Sequence, residues 1–218
     1  MPQHVIIRGV DRQATFFQED DYGLFKDALL VNADRYGAAI HAYVLMTNHV
    51  HLLVTPQAKR SIPQLLQGLG RDYVQRINRQ YRRTGTLWQG RYKASLVHDE
   101  AYLLHCQRYI ELNPVRAGMV PDPGHYAHSS YRCNALGVED PIVSPHLLYT
   151  QLVTGPAQLG NYRKLFESEL DRSLVDDIRK TTNACRVLGG DQFKDQIESM
   201  LNRRVRPGPI GRPKKKHS

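Results

Sequence analysis

The chain has 218 residues, 41% of them hydrophobic, enough to form the core of one domain or of one domain with an extension. Three scattered cysteines (Cys106, Cys133 and Cys185) with no C-x-x-C pair exclude a disulfide framework and a structural zinc site, and make a reducing compartment the default. A net charge of +9 points to a polyanionic partner, and no apolar run is long enough to span a bilayer, so a membrane protein is not expected.

The start, Met1-Pro2-Gln3-His4, lacks the charged region and apolar run of an export signal. Residues 4–8 then read as a short strand, 9–12 as a turn, and Thr15-Phe16-Phe17 as a further brief strand. Asp20 or Asp21 caps a helix to about Tyr36, with Tyr22, Phe25, Leu29 and Ala33 on one face and Gly37 as its stop. Residues 40–46 and 50–54 are strands joined at Thr47-Asn48, so His49 begins the second arm of a hairpin. Ser61 and Pro63 open a helix whose apolar period runs through Leu65, Leu69, Tyr73 and Ile77 to about Arg83. Residues 85–92 form a loop and 93–97 a strand. Asp99 or Glu100 then opens a helix that Pro114 ends near Asn113.

This order predicts an α+β fold with helices packed on a small, mainly antiparallel sheet. After Ser130 the chain is punctuated by Gly, Pro and Asn, then turns helical and strand-poor from Ser144 to about Arg204. A basic tail follows, expected to be disordered when free. The division is 1–131 as a catalytic domain, 132–204 as a helical C-terminal extension and 205–218 as the tail.

Two runs carry chemistry. In Met46-Thr47-Asn48-His49-Val50-His51-Leu52-Leu53-Val54, His49 and His51 are two apart on a strand, so both imidazoles point to one face. That is half of a divalent-metal site, although two solvated histidines satisfy the same pattern. Nitrogen and oxygen ligands without thiolate suit Mg²⁺ or Mn²⁺ on a phosphodiester. In Arg108-Tyr109-Ile110-Glu111-Leu112-Asn113-Pro114, Tyr109 and Asn113 are four apart and neighbours on one helical face, with Tyr102 and Cys106 in the same stripe. The stripe can be plain core, but Asn113 is a poor core residue. With the helix across the sheet, Asn113 can complete the metal site while Tyr109 faces a phosphate. Glu111 points to the opposite side and is not cast as a base.

The basic residues are unevenly placed. Between residues 57 and 93, Lys59, Arg60, Arg71, Arg76, Arg79, Arg82, Arg83, Arg91 and Lys93 face a single acid, Asp72. Arg71 and Arg79 lie off the apolar face of their helix, as a nucleic-acid track requires. Trp88 and Arg91 mix stacking with charge, which suits unpaired bases; a Trp anchoring the loop is the alternative. In the tail, Gly211-Arg212-Pro213 before three lysines resembles an AT-hook, in which Arg212 would enter the minor groove.

These motifs together resemble a known family. The runs His4-Val5-Ile6-Ile7-Arg8-Gly9 and Leu45-Met46-Thr47-Asn48-His49-Val50-His51-Leu52-Leu53 are similar to the single-tyrosine HUH transposases. Gly85-Thr86-Leu87-Trp88-Gln89-Gly90-Arg91-Tyr92 and Arg108-Tyr109-Ile110-Glu111-Leu112-Asn113-Pro114-Val115-Arg116-Ala117-Gly118, with Ser129-Ser130-Tyr131, resemble the REP-associated tyrosine transposase branch. The resemblance spans residues 1–131. It implies a ferredoxin-like antiparallel sheet, His49 and His51 as the metal-binding pair, Asn113 as third ligand and Tyr109 as nucleophile. It further implies a 5′-phosphotyrosine link with a free 3′-OH, and a substrate of single-stranded DNA with hairpins from repetitive extragenic palindromes. Arg8 joins the expected DNA contacts. Many insertion-sequence relatives carry Gln four residues after the tyrosine, and this chain has Asn113, one methylene shorter. A bacterial cytoplasmic, nucleoid-associated protein is implied; the sequence leaves open a monomer, in which Tyr109 acts on its own metal site, and a dimer exchanging helices, with the monomer favoured. The competing readings are a nucleic-acid-binding module without chemistry and a phosphoesterase in which metal-bound water attacks.

Overall fold

The computed structural model describes residues 1–202 and 204–206; Arg212 and the AT-hook-like tail lie outside the described residues. In chain order the elements are β1 (Gln3–Arg8), α1 (Glu19–Arg35), β2 (Ala38–Met46), β3 (His49–Pro56), α2 (Ser61–Gln80), β4 (Lys93–Val97), α3 (Asp99–Glu111), α4 (Asn113–Arg116), α5 (Tyr131–Leu136), α6 (Leu147–Leu152), α7 (Leu159–Lys164), α8 (Arg172–Asn183), β5 (Val187–Leu188) and α9 (Asp191–Leu201).

The sheet order is β2-β3-β1-β4-β5, and the first four strands are antiparallel. The βαββαβ order with β1 inside is the ferredoxin-like arrangement. A fifth strand, not expected from the sequence, pairs parallel to β4 through Leu96↔Val187 and Val97↔Leu188, which makes the sheet mixed. Two residues are too short to show a strand period, so only tertiary pairing creates β5.

Alternation along the strands sorts side chains to two faces. Val5, Ile7, Leu45, Val50, Leu52 and Val54 join the core under α1 and α2. Ala42, Val44, Met46 and Leu53 pack with Leu103, Cys106, Tyr109 and Ile110 of α3 and with Val175 and Ile178 of α8. Being two and four residues from Leu53, His51 and His49 share its face, opposite to α2. The β2 register slips between Ile40 and Ala42, and the intervening His41 is held by Thr55 Oγ1 at 2.8 Å and the Ser144 carbonyl at 2.6 Å.

Local chemistry explains the helix limits. The cap of α1 is Gln18; Asp21 at the third helical position closes the capping box, its carboxylate accepting from Phe17 N at 2.7 Å and Gln18 N at 2.9 Å. Asp21 thus acts from inside the first turn rather than as the cap itself. Gly37 ends the helix at φ +61°, and a Cβ at Gly68 would collide with Asn32 where α1 and α2 cross. The brief strand expected at Thr15-Phe16-Phe17 is absent. Phe16 instead turns into the core, stacked on Tyr22 and edge-on to Phe25, and that packing overrides β propensity. The expected stop near Asn113 falls at Leu112, and Pro114 then sits in the first turn of a new short helix, where its missing N–H costs nothing.

Candidate active site

A cleft of about 380 Å³ opens beside β3, lined by Arg8, His49, His51, Tyr109, Asn113 and Arg116, and closed on one side by Arg179 and Asn183 of α8. His49 and His51 stand side by side because they are two apart on β3, their ring centroids 5.0 Å apart and tilted by 73°. Tyr109 reaches the cleft from α3 and presents its ring edge-on to His51 at 6.0 Å and to His4 at 5.8 Å. It is only 4% exposed, and it lines the cleft.

Burial governs the histidines. His49 is pushed down to about 4, first by burial and then by the Arg8 charge. His51 is held well below the usual imidazole range by burial, with His4, His49, Arg116 and Arg8 adding to the effect. Both are therefore neutral at physiological pH, the state a metal ligand requires.

The tautomers follow from the hydrogen bonds. His49 Nδ1 donates to Asn48 Oδ1 at 2.7 Å, which leaves Nε2 unprotonated. For His51 the assignment comes through three more residues. Thr182 Oγ1 donates to the Ile178 carbonyl at 2.8 Å, so it can only accept from His4 Nδ1 at 3.0 Å. His4, pushed down to about 3 chiefly by burial, is neutral and has its one proton committed to Thr182. Its Nε2 must then accept, and His51 Nδ1 donates to it at 2.8 Å. His51 Nε2 is left bare. Ser95 Oγ completes the chain by donating to Thr182 Oγ1 at 3.1 Å.

Asn113 fits the same pattern. Its Nδ2 donates to the Tyr109 and Ile110 carbonyls, each at 3.1 Å, which leaves Oδ1 as a free acceptor in the cleft. Among the described residues no cluster of three or more His, Cys, Asp and Glu assembles. A cation here would accordingly use two imidazoles and one amide oxygen, a donor set the chain does supply.

The structure brings together His49, His51, Tyr109, Asn113 and Arg8. Glu111 is fully buried away from them, accepting from Ser130, Asn134 and Tyr162. Arg71 and Arg79 are exposed on α2, across the sheet from the cleft. Trp88 is half-buried, bridged to Gly9 and ring-packed with Tyr73 and Phe25 at 6.2 Å each, so the loop uses it as an anchor. Arg91 beside it is exposed. Sequence reasoning missed His4, Arg116, Thr182, Arg179 and Asn183. His4 was findable, being on the same strand face as Arg8; Thr182 carries no local signal.

Residues 1–113 match the family of IS200-like transposases. No curated protein sequence matches the chain. Among solved structures, a REP-associated tyrosine transposase bound to a REP hairpin superimposes with a TM-score of 0.55 at 15% identity, covering 67% of this chain and 86% of that one. At that identity the likeness is one of fold. A crystal structure assigned as a transposase from Deinococcus radiodurans R1 is 28% identical over 51% of this chain and 88% of that one, with a TM-score of 0.37. The chain belongs to the IS200-like transposase family.

Proposed function

We propose that the chain is a metal-dependent single-stranded DNA endonuclease and strand transferase, with Tyr109 as nucleophile and hairpin DNA of the REP type as substrate. One observation carries the reading: three separate elements, β3, α3 and α4, deliver two neutral imidazoles, a phenol and a free amide oxygen to one cleft. The hairpin as substrate rests on the fold shared with a transposase that binds one.

In this reading His49, His51 and Asn113 hold a divalent ion, Mg²⁺ or Mn²⁺. Such an ion supplies positive charge that polarises the phosphate and the leaving oxygen. Tyr109 Oη attacks phosphorus, the P–O3′ bond breaks, the phenolic proton leaves to solvent and the 3′-oxygen gains one. The products are a 5′-phosphotyrosine and a free 3′-OH. Because the link conserves the energy of the broken bond, a second 3′-OH can reverse the attack without ATP. Residues 1–131 form the catalytic part, and 132–204 close the cleft through α8. Arg8 and Arg91 serve the single strand, Arg71 and Arg79 the duplex stem, and Trp88 shapes the loop between them. Arg212, in the tail, adds a minor-groove contact.

The test is to identify the ends of the cleaved strand. Labelled hairpin DNA with single-stranded flanks, incubated with the chain and Mn²⁺, yields one fragment extendable by terminal transferase and one whose 5′ end is blocked by protein. Two protein-free fragments, one bearing a 5′-phosphate, would point to attack by water and contradict the proposal.

A further inference from the structure

Arg116 is the least satisfied charged group of the cleft. Its Nε, Nη1 and Nη2 are all buried with no well-formed hydrogen bond to a described residue, and none of the described carboxylates lies within ion-pair distance. The guanidinium lies over the face of Tyr109, 3.9 Å from the ring centroid. Burial holds the guanidinium below the usual arginine range and the nearby Arg179 cation pushes the same way, while the Tyr109 hydroxyl acts in the opposite sense. Arg8 stands on the same cleft, and no acid lines it. Glu167, Glu169 and Asp176 border a neighbouring hollow that Arg116 and Arg179 also touch, and none of them pairs with Arg116.

An uncompensated buried charge is strongly destabilising, and buried polar groups in folded proteins nearly always have partners. Three nitrogens without an acidic partner among the described residues therefore fit an anion that binds in the cleft. Position narrows the choice. A planar fork of N–H donors matches the two non-bridging oxygens of a phosphate. Its stacking on Tyr109 fixes the ring and the fork relative to one another.

We propose that Arg116, assisted by Arg179, is the anion site that seats the scissile phosphate against Tyr109 and offsets the negative charge that builds on its oxygens during attack. The inference rests on the strand-transfer reading above. Arg116 exchanges no proton and forms no bond: Tyr109 Oη–P forms, P–O3′ breaks, and the guanidinium holds the non-bridging oxygens throughout. It also gives α8 a part in the chemistry, since Arg179 comes from that helix.

The experiment compares wild type, Arg116→Met and Arg116→Lys in single-turnover adduct formation on labelled hairpin DNA with Mn²⁺. Removing one such preorganised donor lowers rates about 100- to 1000-fold. Arg116→Met should fall in that range with the DNA dissociation constant changed less than about threefold and the melting temperature unchanged or raised, because a buried unpaired charge is gone. Arg116→Lys restores charge without the fork and should lie between the two. The second arm places a methylphosphonate at the mapped scissile position. Removing that charge should shrink the gap between wild type and Arg116→Met to within about threefold, the non-additivity of directly interacting groups. An undiminished gap, or Arg116→Met cleaving at the wild-type rate, would overturn this inference while the wild-type adduct leaves the functional reading standing. A wild type that forms no adduct on any hairpin overturns both.

Discussion

His4 Nε2 lies 2.8 Å from His51 Nδ1, so a residue at the start of the chain sets which nitrogen of His51 is bare. His4 is itself fixed by Thr182, 178 residues away on α8. The first strand, β1, and α8 thus meet behind one ligand of the candidate metal pair.

Breaking this support should weaken metal binding more than it weakens the fold. Outer-shell partners of ligating histidines contribute about 10- to 100-fold in metal affinity. His4→Ala is expected to raise the Mn²⁺ dissociation constant by that factor, read from the electron paramagnetic resonance of free Mn²⁺. Thr182→Val should act in the same direction, and Thr182→Ser should restore affinity because it keeps the hydroxyl. Wild-type affinity in Thr182→Val would show that the relay does not orient His51.

Glu111 should make stability depend on pH in a sense opposite to that of most carboxylates. Burial pushes it from 4.5 up to about 7, against the three hydrogen bonds it accepts. The folded chain then holds this proton more tightly than the unfolded chain. The contribution is fully present below pH 4.5 and is lost as pH rises to about 7. The loss is worth about 3 kcal/mol at roughly 1.4 kcal/mol per unit. Glu111→Gln copies the protonated form, its oxygen still accepting from Ser130 and Asn134. It should match wild type near pH 4.5 and be the more stable protein at pH 8 in urea titrations. Equal stability of the two at pH 8 would contradict the assignment.

Arg71 and Arg79 should affect DNA affinity and leave the chemistry alone, because α2 and the cleft lie on opposite faces of the sheet. Each charge reversal is expected to weaken hairpin binding and to lower the salt slope of log K by about 1. At saturating DNA the adduct rate should stay within about threefold of wild type. A slope unchanged in the double variant Arg71→Glu/Arg79→Glu would place the DNA elsewhere.

The βαββαβ core was legible because its cues are local. Strand alternation separated the histidine face from the Val50-Leu52-Val54 face, and the tyrosine–asparagine spacing survived the break at Leu112, with Leu112 N still bonded to the Arg108 carbonyl at 3.0 Å. What escaped was long-range. Pairing of Val187 and Leu188 with β4, the inward turn of Phe16 and the seating of Thr182 behind His4 depend on partners that no window of sequence contains. Arg116 stood in plain view within Asn113-Pro114-Val115-Arg116, yet only the structure reveals that its nitrogens are buried with no acidic partner among the described residues.

The most direct test of the strand-transfer account is a denaturing gel of wild type and Tyr109→Phe, each incubated with labelled hairpin DNA and Mn²⁺. Phenylalanine keeps the ring under Arg116 and removes only the hydroxyl. The account predicts a denaturation-resistant protein–DNA band in wild type and none in Tyr109→Phe, with hairpin affinity nearly unchanged. Cleavage by Tyr109→Phe at the wild-type rate would contradict it.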